Sequence, residues 1–496
     1  MNVREECHLE YGDMTLKRQL DNMFNPQSVA LIGASNTFGK WGFNILSLLL
    51  TNKGRDIYAV NKKEAEVLGL KAYRSIVEVP APVDLAIITV PFQDVPAAME
   101  DCIRKNVKTA VVISGGLAET GEEGAIVERE VVEVAKRGGI NFVGPNCMGL
   151  FETSSNFNTV IFLPPLRKGP VAVISQSGNS GQSIIISGLE MGLGFSKYVS
   201  SGNEADLHFE DYMEYMAQDD ETKIILGYIE GLREGRRFFE LAKEITKKKP
   251  IVIVKGGRTQ AGARAARSHT AALAGSDIVG DAAFKQAGVI RVDEIGELID
   301  VALLLLGQPL PRGRRVGVLS VGGGAAVMAA DSLVREGMEL ASLSPATVEK
   351  LSSVLTRRWS HGNPVDPGGD RLNYDCLWPL IEDENIDAVL LIGAPSVTRI
   401  FVDWFSVHAP WLTNLDQIKK MAEDRELGEL EKAKEMMVKY GKPVIFCSRG
   451  VGVVREGEVY RWLEQNYLVP YSTPEKAAKA LAHLVEYSEY LGISKF

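Results

Sequence analysis

Cysteine is scarce in this chain: Cys7, Cys102, Cys147, Cys376 and Cys447 are spread over 496 residues with no CxxC pair. That excludes a disulfide framework and a cysteine-built zinc module, and it points to the reducing cytoplasm. Long apolar runs are also missing. Stretches such as FNILSLLL and VALLLL fall far short of the roughly 20 residues a bilayer span requires. The opening MNVREECHLEYGD is too charged for a signal peptide. Positive charge is in deficit, with 55 Lys and Arg against 64 Asp and Glu and a formal charge of −9. A general nucleic-acid binder is thereby excluded, because phosphate backbones demand clustered cations. A local pocket for a small anion stays open.

What is present is a repeated alternation. Apolar runs of four to seven residues, rich in Val and Ile, are separated by helix-length segments, the signature of parallel sheets covered by helices. The length suits about three such domains. The first reads SVALIGAS, DIYAVN, DLAIITV, TAVVISGG and INFVGPN, five strands closing near Asn146. A second opens at PVAVISQSG after the breaker FLPPLRKGP, and a third at RVGVLSVGGG after PLPRGR. The expected fold is therefore α/β, three doubly wound parallel-sheet domains over 16–150, 166–308 and 314–475, with a C-terminal helix over 476–496. Residues 396–430, rich in Trp, His and charge, fit this pattern worst and read as an inserted excursion.

Each domain opens with a strand, a small-residue turn and a helix. In such sheets ligands gather at the carboxyl ends of strands, where helix N-termini offer free N–H groups. The first turn, GASNTFGKWG, supplies Gly33, Gly39 and Gly42 for close backbone approach, with Ser35 and Lys40 as added contacts. Its spacing differs from GxGxxG, so it reads as a phosphate or pyrophosphate site rather than a nicotinamide one, or as glycines needed only for tight turning. The second and third turns, SQSGNSG and SVGGGAA, carry no basic residue. Two bare helix ends, each equivalent to about half a positive charge, hold a dianion if they face one another.

Among six histidines, His269 in RSHTAALAG stands out. Its small neighbours leave the imidazole free to reach into a shared cavity, and imidazole is a good nucleophile and leaving group near neutral pH. It is read as a phosphoryl carrier against the plainer alternative of an ordinary loop histidine. His361 in SHGNPVDPGGD is its rival. Glu230 falls at the end of the strand IILGYIEG in the same domain. A carboxylate there can fix one imidazole tautomer and raise the nucleophilicity of the other nitrogen.

Assembled, these residues resemble the α subunit of ADP-forming acetyl-CoA synthetases, NDP-forming acyl-CoA synthetases related to succinyl-CoA synthetase. The resemblance spans roughly residues 16–475 and rests on ALIGAS, PVDLAIITVP, VGPNCMG, VAVISQSG, SHTAALAG and NPVD. It implies a CoA-binding Rossmann-like domain and two flavodoxin-like ligase domains. His269 matches the phosphohistidine and Glu230 the glutamate that holds it. Ser177 and Gly178 match one phosphate-binding helix start, and Gly322, Gly323 and Gly324 the other. Gly33, Ser35, Gly39, Lys40 and Gly42, with Lys63, Asn146 and Cys147, match the coenzyme A site. Departures are Ala271, where glycine is frequent, and Asn61-Lys62-Lys63 in place of Asn-Pro-Lys. The first dozen residues are an unmatched extension.

No Walker A motif and no ATP-grasp domain follow. The resemblance therefore implies that ATP/ADP and Mg2+ belong to a separate ATP-grasp β subunit in a cytoplasmic α2β2 hetero-oligomer. The expected reaction is acyl-CoA + phosphate + ADP ⇌ carboxylate + CoA + ATP, through an acyl phosphate and a phosphohistidine. No metal site, nucleic acid or membrane is expected of this chain. The alternative is a non-catalytic CoA-binding regulatory or scaffold protein of the same fold.

Overall fold

The computed structural model describes residues 14–259, 277–356, 359–367, 374–395, 397–409, 411, 414–448 and 457–494. Within them, the aliphatic runs become strands, several of them buried from end to end. Ser28–Ile32 (β1), Leu85–Ile88 (β5) and Thr109–Val112 (β6) are buried at every position, as continuous apolar strands are when helices cover both faces of a sheet. With Asp56–Val60 (β2), Glu66–Val67 (β3), Leu70–Tyr73 (β4) and Asn141–Val143 (β7), they form a seven-stranded sheet ordered β3-β4-β2-β1-β5-β6-β7. The five expected strands are all parallel neighbours. The two additional ones make a short hairpin at the sheet's edge, β3 antiparallel to β4. Strands of two and four residues are too short to leave a readable period.

Helices Met14–Phe24 (α1), Trp41–Leu49 (α2), Val95–Arg104 (α3) and Glu122–Gly138 (α4) accompany this sheet. The last of them shows why such a segment is helical. Glu122 and Glu123 open it, Lys136 and Arg137 close it, and Gly139 ends it at φ +62°. The charges oppose the helix dipole, and the glycine takes the left-handed cap without a steric penalty.

The second sheet is ordered β14-β13-β12-β10-β11-β8-β9. Its parallel centre consists of Lys168–Ser175 (β10), Phe195–Ser200 (β11), Ile224–Ile229 (β12) and Ile251–Lys255 (β13), with Ile290–Val292 (β14) at one edge. At the other edge lie Gly149–Glu152 (β8), antiparallel to β11, and Phe157–Asn158 (β9). This sheet thus begins upstream of the Pro-rich linker, in residues that follow directly on the first sheet. Lys197 of β11 locks the addition, its Nζ lying 2.8 Å from Glu152 and 2.9 Å from Asp219 with almost no solvent exposure. Gly178–Glu190 (α5), Phe209–Ala217 (α6) and Gly235–Ile245 (α7) pack here. One apolar cluster runs through both sheets, from Leu31 and Val143 to Ile174, Val199 and Tyr212. The α1 residue Phe24 stacks on Tyr215 of α6 at 5.3 Å.

The third sheet is four-stranded and wholly parallel, ordered β16-β15-β17-β18: Arg315–Ser320 (β15), Glu339–Leu340 (β16), Ala388–Ile392 (β17) and Val444–Cys447 (β18). The described residues of the excursion 396–430 are mostly helical, in Val397–His408 and the first part of Leu415–Tyr440.

The chain divides into two compact units, one ending at Arg291 and the other running from Val292 with the short piece Glu190–Leu193. Helix Ile295–Gly307, expected to close the second domain, belongs to the second unit, as does the last helix, Pro474–Tyr490. The physical reason is a shared seam. Glu297 lies 2.8 Å from His483 and 3.0 Å from Lys479, and Tyr471 donates to the Asp300 carbonyl at 2.8 Å. Among the described residues no helix is long and apolar enough to cross a membrane.

Candidate functional site

The first turn joins β1 to α2. Gly33 has φ +98°, and a Cβ there would stand 2.6 Å from Thr89 Oγ1. At Gly42 a Cβ would stand 1.9 Å from the Gly33 carbonyl oxygen. Gly42 lets α2 meet the end of β1, and Gly33 lets the turn lie against Thr89 beyond β5; both are packing roles. Gly39, at φ +85°, faces open space and is the glycine that leaves the turn accessible. Ser35 is buried, its Oγ accepting from Thr37 N–H at 3.1 Å. Lys40 is exposed at the N-cap of α2.

Lys63 is exposed on the adjoining loop, which Asn61 organises. The Asn61 amide donates to the Ala34 carbonyl at 2.7 Å and accepts from the Lys63 and Glu64 N–H groups at 2.7 and 2.9 Å. The turn thus presents Lys40 next in sequence to Trp41 (40% exposed) and two residues from Phe38 (86%), with Lys63 exposed on the adjoining loop. The aromatic pair escaped the sequence reading because their exposure is not encoded locally.

The VGPNCMG motif crosses from the first sheet to the second. Asn146, at φ +56°, donates from its own N–H to Ser114 and from Nδ2 to Asn203 Oδ1 at 3.3 Å. Asn203 in turn donates to Glu119 at 2.6 Å and Glu128 at 2.8 Å. Burial raises the Glu128 carboxyl above its ordinary range, against the Asn203 hydrogen bond that lowers it. Cys147, expected at the coenzyme site, turns inward. Its buried thiol donates to the Val112 carbonyl at 3.3 Å, and burial pushes it up to about 12. Its side chain is core, which leaves Asn146 as the exposed polar side chain of this motif. Met148 packs where a Cβ on Gly178 would fall, 2.1 Å from Met148 Cγ.

The second turn places Ser177 and Gly178 at the head of α5. Ser177 Oγ accepts from Ser180 N–H at 3.3 Å, and its carbonyl accepts from Ser175 Oγ at 2.6 Å. Glu230 follows β12 directly, as expected, and is half-buried. The structure brings it to this same turn. Its N–H donates to Gln176 Oε1 at 2.6 Å, and Tyr228 OH lies 3.5 Å from its carboxylate. Gln176 was not singled out from the sequence. Its partners lie 28 and 54–55 residues away, beyond any local pattern.

His269 lies outside the described residues. His361, the rival histidine, is in the second unit, tilted against the Trp359 ring at 4.7 Å with Nδ1 3.5 Å from Ser352 Oγ. That unit also holds the third turn. Gly322, at φ +106°, caps helix Gly323–Arg335, and no atom stands within 4 Å of a Cβ at Gly322 or Gly324. At Gly323 the nearest atom is Asp366 Oδ2, at 3.4 Å.

Comparison with known proteins gives these turns a context. Residues 27–152 match the CoA binding domain family, and residues 168–305 match the Succinyl-CoA ligase like flavodoxin domain family. The chain is 40% identical to the acetate–CoA ligase [ADP-forming] II subunit alpha of Pyrococcus furiosus, over 95% of this chain and 99% of that one. It is 40% identical to the acetate–CoA ligase [ADP-forming] I of Archaeoglobus fulgidus, again over 95% of this chain but 64% of the relative. A solved structure, the dinucleotide forming acetyl-coenzyme A synthetase 1 of Ca. Korarchaeum cryptofilum in complex with phosphate and ADP, superposes with a TM-score of 0.80. It is 30% identical over 96% of this chain and 98% of that one.

Proposed function

The chain belongs to the ADP-forming acetate–CoA ligase family as an α subunit, and on that premise we propose that it performs the acyl-transfer and phosphohistidine steps of the reaction. Phosphate attacks the thioester carbonyl of an acyl-CoA, the carbon–sulfur bond breaks, and CoA leaves as an acyl phosphate forms. An imidazole nitrogen of His269 then attacks phosphorus. The bond from phosphorus to the acyl oxygen breaks, the carboxylate leaves, and a phosphohistidine remains. Glu230 accepts the other imidazole N–H, fixing the tautomer and stabilising the cation that develops. The helix starts at Ser177–Gly178 and Gly322–Gly324 stabilise the phosphoryl charge through their free N–H groups.

Coenzyme A is a substrate, held by the first turn with Gly39, Lys40 and Lys63 on its phosphates and Asn146 further along. ATP/ADP and Mg2+ belong to an ATP-grasp β subunit, in an α2β2 complex. The observation that carries this reading is the junction of Glu230 with the Gln176–Ser177–Gly178 turn. The backbone N–H of the strand-end Glu230 donates, at 2.6 Å, to the side chain of Gln176, the residue that opens a basic-residue-free turn.

The test is chemical. Acetyl-CoA and radiolabelled phosphate should place an acid-labile label on the peptide spanning 267–275, and His269→Ala should abolish it. Label persisting in the His269→Ala protein overturns the assignment and moves it to His361.

A further inference from the structure

Glu230 and Gly231 leave the sheet at the end of β12, and strand order decides what they meet. Because β10 lies between β12 and β11, the turn after β10 sits between the turns that follow the other two strands. Gln176 occupies that central turn, and its side-chain amide is fully used. Oε1 accepts from the N–H groups of Glu230 at 2.6 Å and Gly231 at 3.2 Å. Nε2 donates to the Gly231 carbonyl at 2.7 Å and to Glu204 Oε2 at 2.9 Å. The Gln176 N–H itself donates to the Tyr228 carbonyl at 3.1 Å. An amide alone offers two acceptor sites and two donors in this arrangement.

Glu204, the far partner, is 3% exposed and takes φ +54°, a left-handed conformation that non-glycine residues rarely adopt. Its other oxygen accepts from Ser201 Oγ at 2.7 Å, and the Ser201 N–H donates to the Ser175 carbonyl at 2.9 Å. The charged groups facing it are Glu210 of α6 and Arg233 beyond β12. Burial above all pushes the Glu204 carboxyl up to about 8, against the lowering hydrogen bonds of Ser201 and Gln176, with smaller opposing effects from Glu210, which raises it, and Arg233, which lowers it. A strained, buried carboxyl with one oxygen on Gln176 and the other on Ser201 is a support, sealed from solvent beneath the turn.

We propose that Gln176 and Glu204 are positioning residues for phosphoryl transfer: together they hold the 230–231 backbone so that the Glu230 carboxylate is aimed at the histidine. The inference rests on the role of Glu230 given above and deepens it. Neither residue touches the reacting atoms. Their effect passes through Glu230, so removing either should matter only while Glu230 is present to be aimed.

A double-mutant cycle reads this directly. Single-turnover phosphorylation is measured on the full chain with its partner subunit, using acetyl-CoA and labelled phosphate. CoA affinity and melting temperature are measured alongside. Gln176→Ala and Glu204→Ala should each slow phosphorylation by roughly ten- to hundredfold, the size of effect that a small misplacement produces, with CoA affinity retained. Glu204→Gln, which keeps an acceptor for Gln176 and a partner for Ser201, should recover most of the rate lost in Glu204→Ala. In a Glu230→Gln background, Gln176→Ala should add little. Two results overturn the inference alone: Gln176→Ala at the wild-type rate, or the same slowing by Gln176→Ala with and without Glu230→Gln. Glu230→Gln at the wild-type rate overturns the role of Glu230 and this inference together.

Discussion

A Cβ at Gly42 would stand 1.9 Å from the carbonyl oxygen of Gly33, so α2 and β1 meet backbone to backbone. The contact sits under the turn assigned to coenzyme A and gives its glycines unequal importance. Gly42→Ala should destabilise the first unit by about 3 kcal/mol, the upper range for overpacking. Gly39→Ala has open space but keeps an unfavourable φ of +85°, which costs roughly 1–2 kcal/mol. Urea denaturation separates the two; equal losses would mean that the helix slides away from the strand without penalty.

Lys40 and Lys63 are exposed and flank the same turn. Each Lys→Ala change should weaken CoA binding by up to about fivefold at low salt, the ordinary limit for a solvent-exposed ion pair. The difference should shrink as salt screens the phosphates. Isothermal titration of the double variant is the check. An affinity that does not move would place the coenzyme phosphates elsewhere.

Glu204 adds a pH dependence to the stability of the first unit. Its folded value of about 8 lies above the ordinary 4.5, so the protonated form is the one the fold favours. Its contribution is full below about 4.5 and is lost as the pH rises through about 8. Glu204→Gln, neutral at every pH, should therefore gain stability relative to the parent between pH 5 and pH 8. Denaturation at those two pH values measures it. A constant difference would show that the carboxylate is as well accommodated as the acid.

The chain should also stall. With acetyl-CoA and phosphate it should label His269, and ADP should not remove the label until an ATP-grasp partner is added. A permanent complex of the two should bury about 2,000 Å² or more. Sustained ATP synthesis by a demonstrably pure single chain would falsify the division of labour proposed here.

Much of the fold was legible because fully buried parallel strands write themselves as continuous apolar runs, and the turns after them as clusters of Gly and Ser. SVALIGAS, PVAVISQSG and RVGVLSVGGG each became a strand, a small-residue turn and a helix. Glu230 was legible as a strand-end carboxylate for the same reason. Less legible were the antiparallel strand Gly149–Glu152, whose pairing is set by β11 some 50 residues on, and helix Ile295–Gly307, whose apolar pattern does not say which unit it covers.

The sequence by itself determined the α/β alternation, the three small-residue turns and the residue types offered at each, since these depend on local periodicity and backbone freedom. Only the tertiary structure decided that Cys147 faces the core while Asn146 faces Asn203, and that Gln176 joins Glu230 to Glu204. Strand order makes those neighbours. β10 is flanked by β11 and β12 in space, and a side-chain amide can only spend its donors and acceptors on what the sheet brings within 3 Å or so.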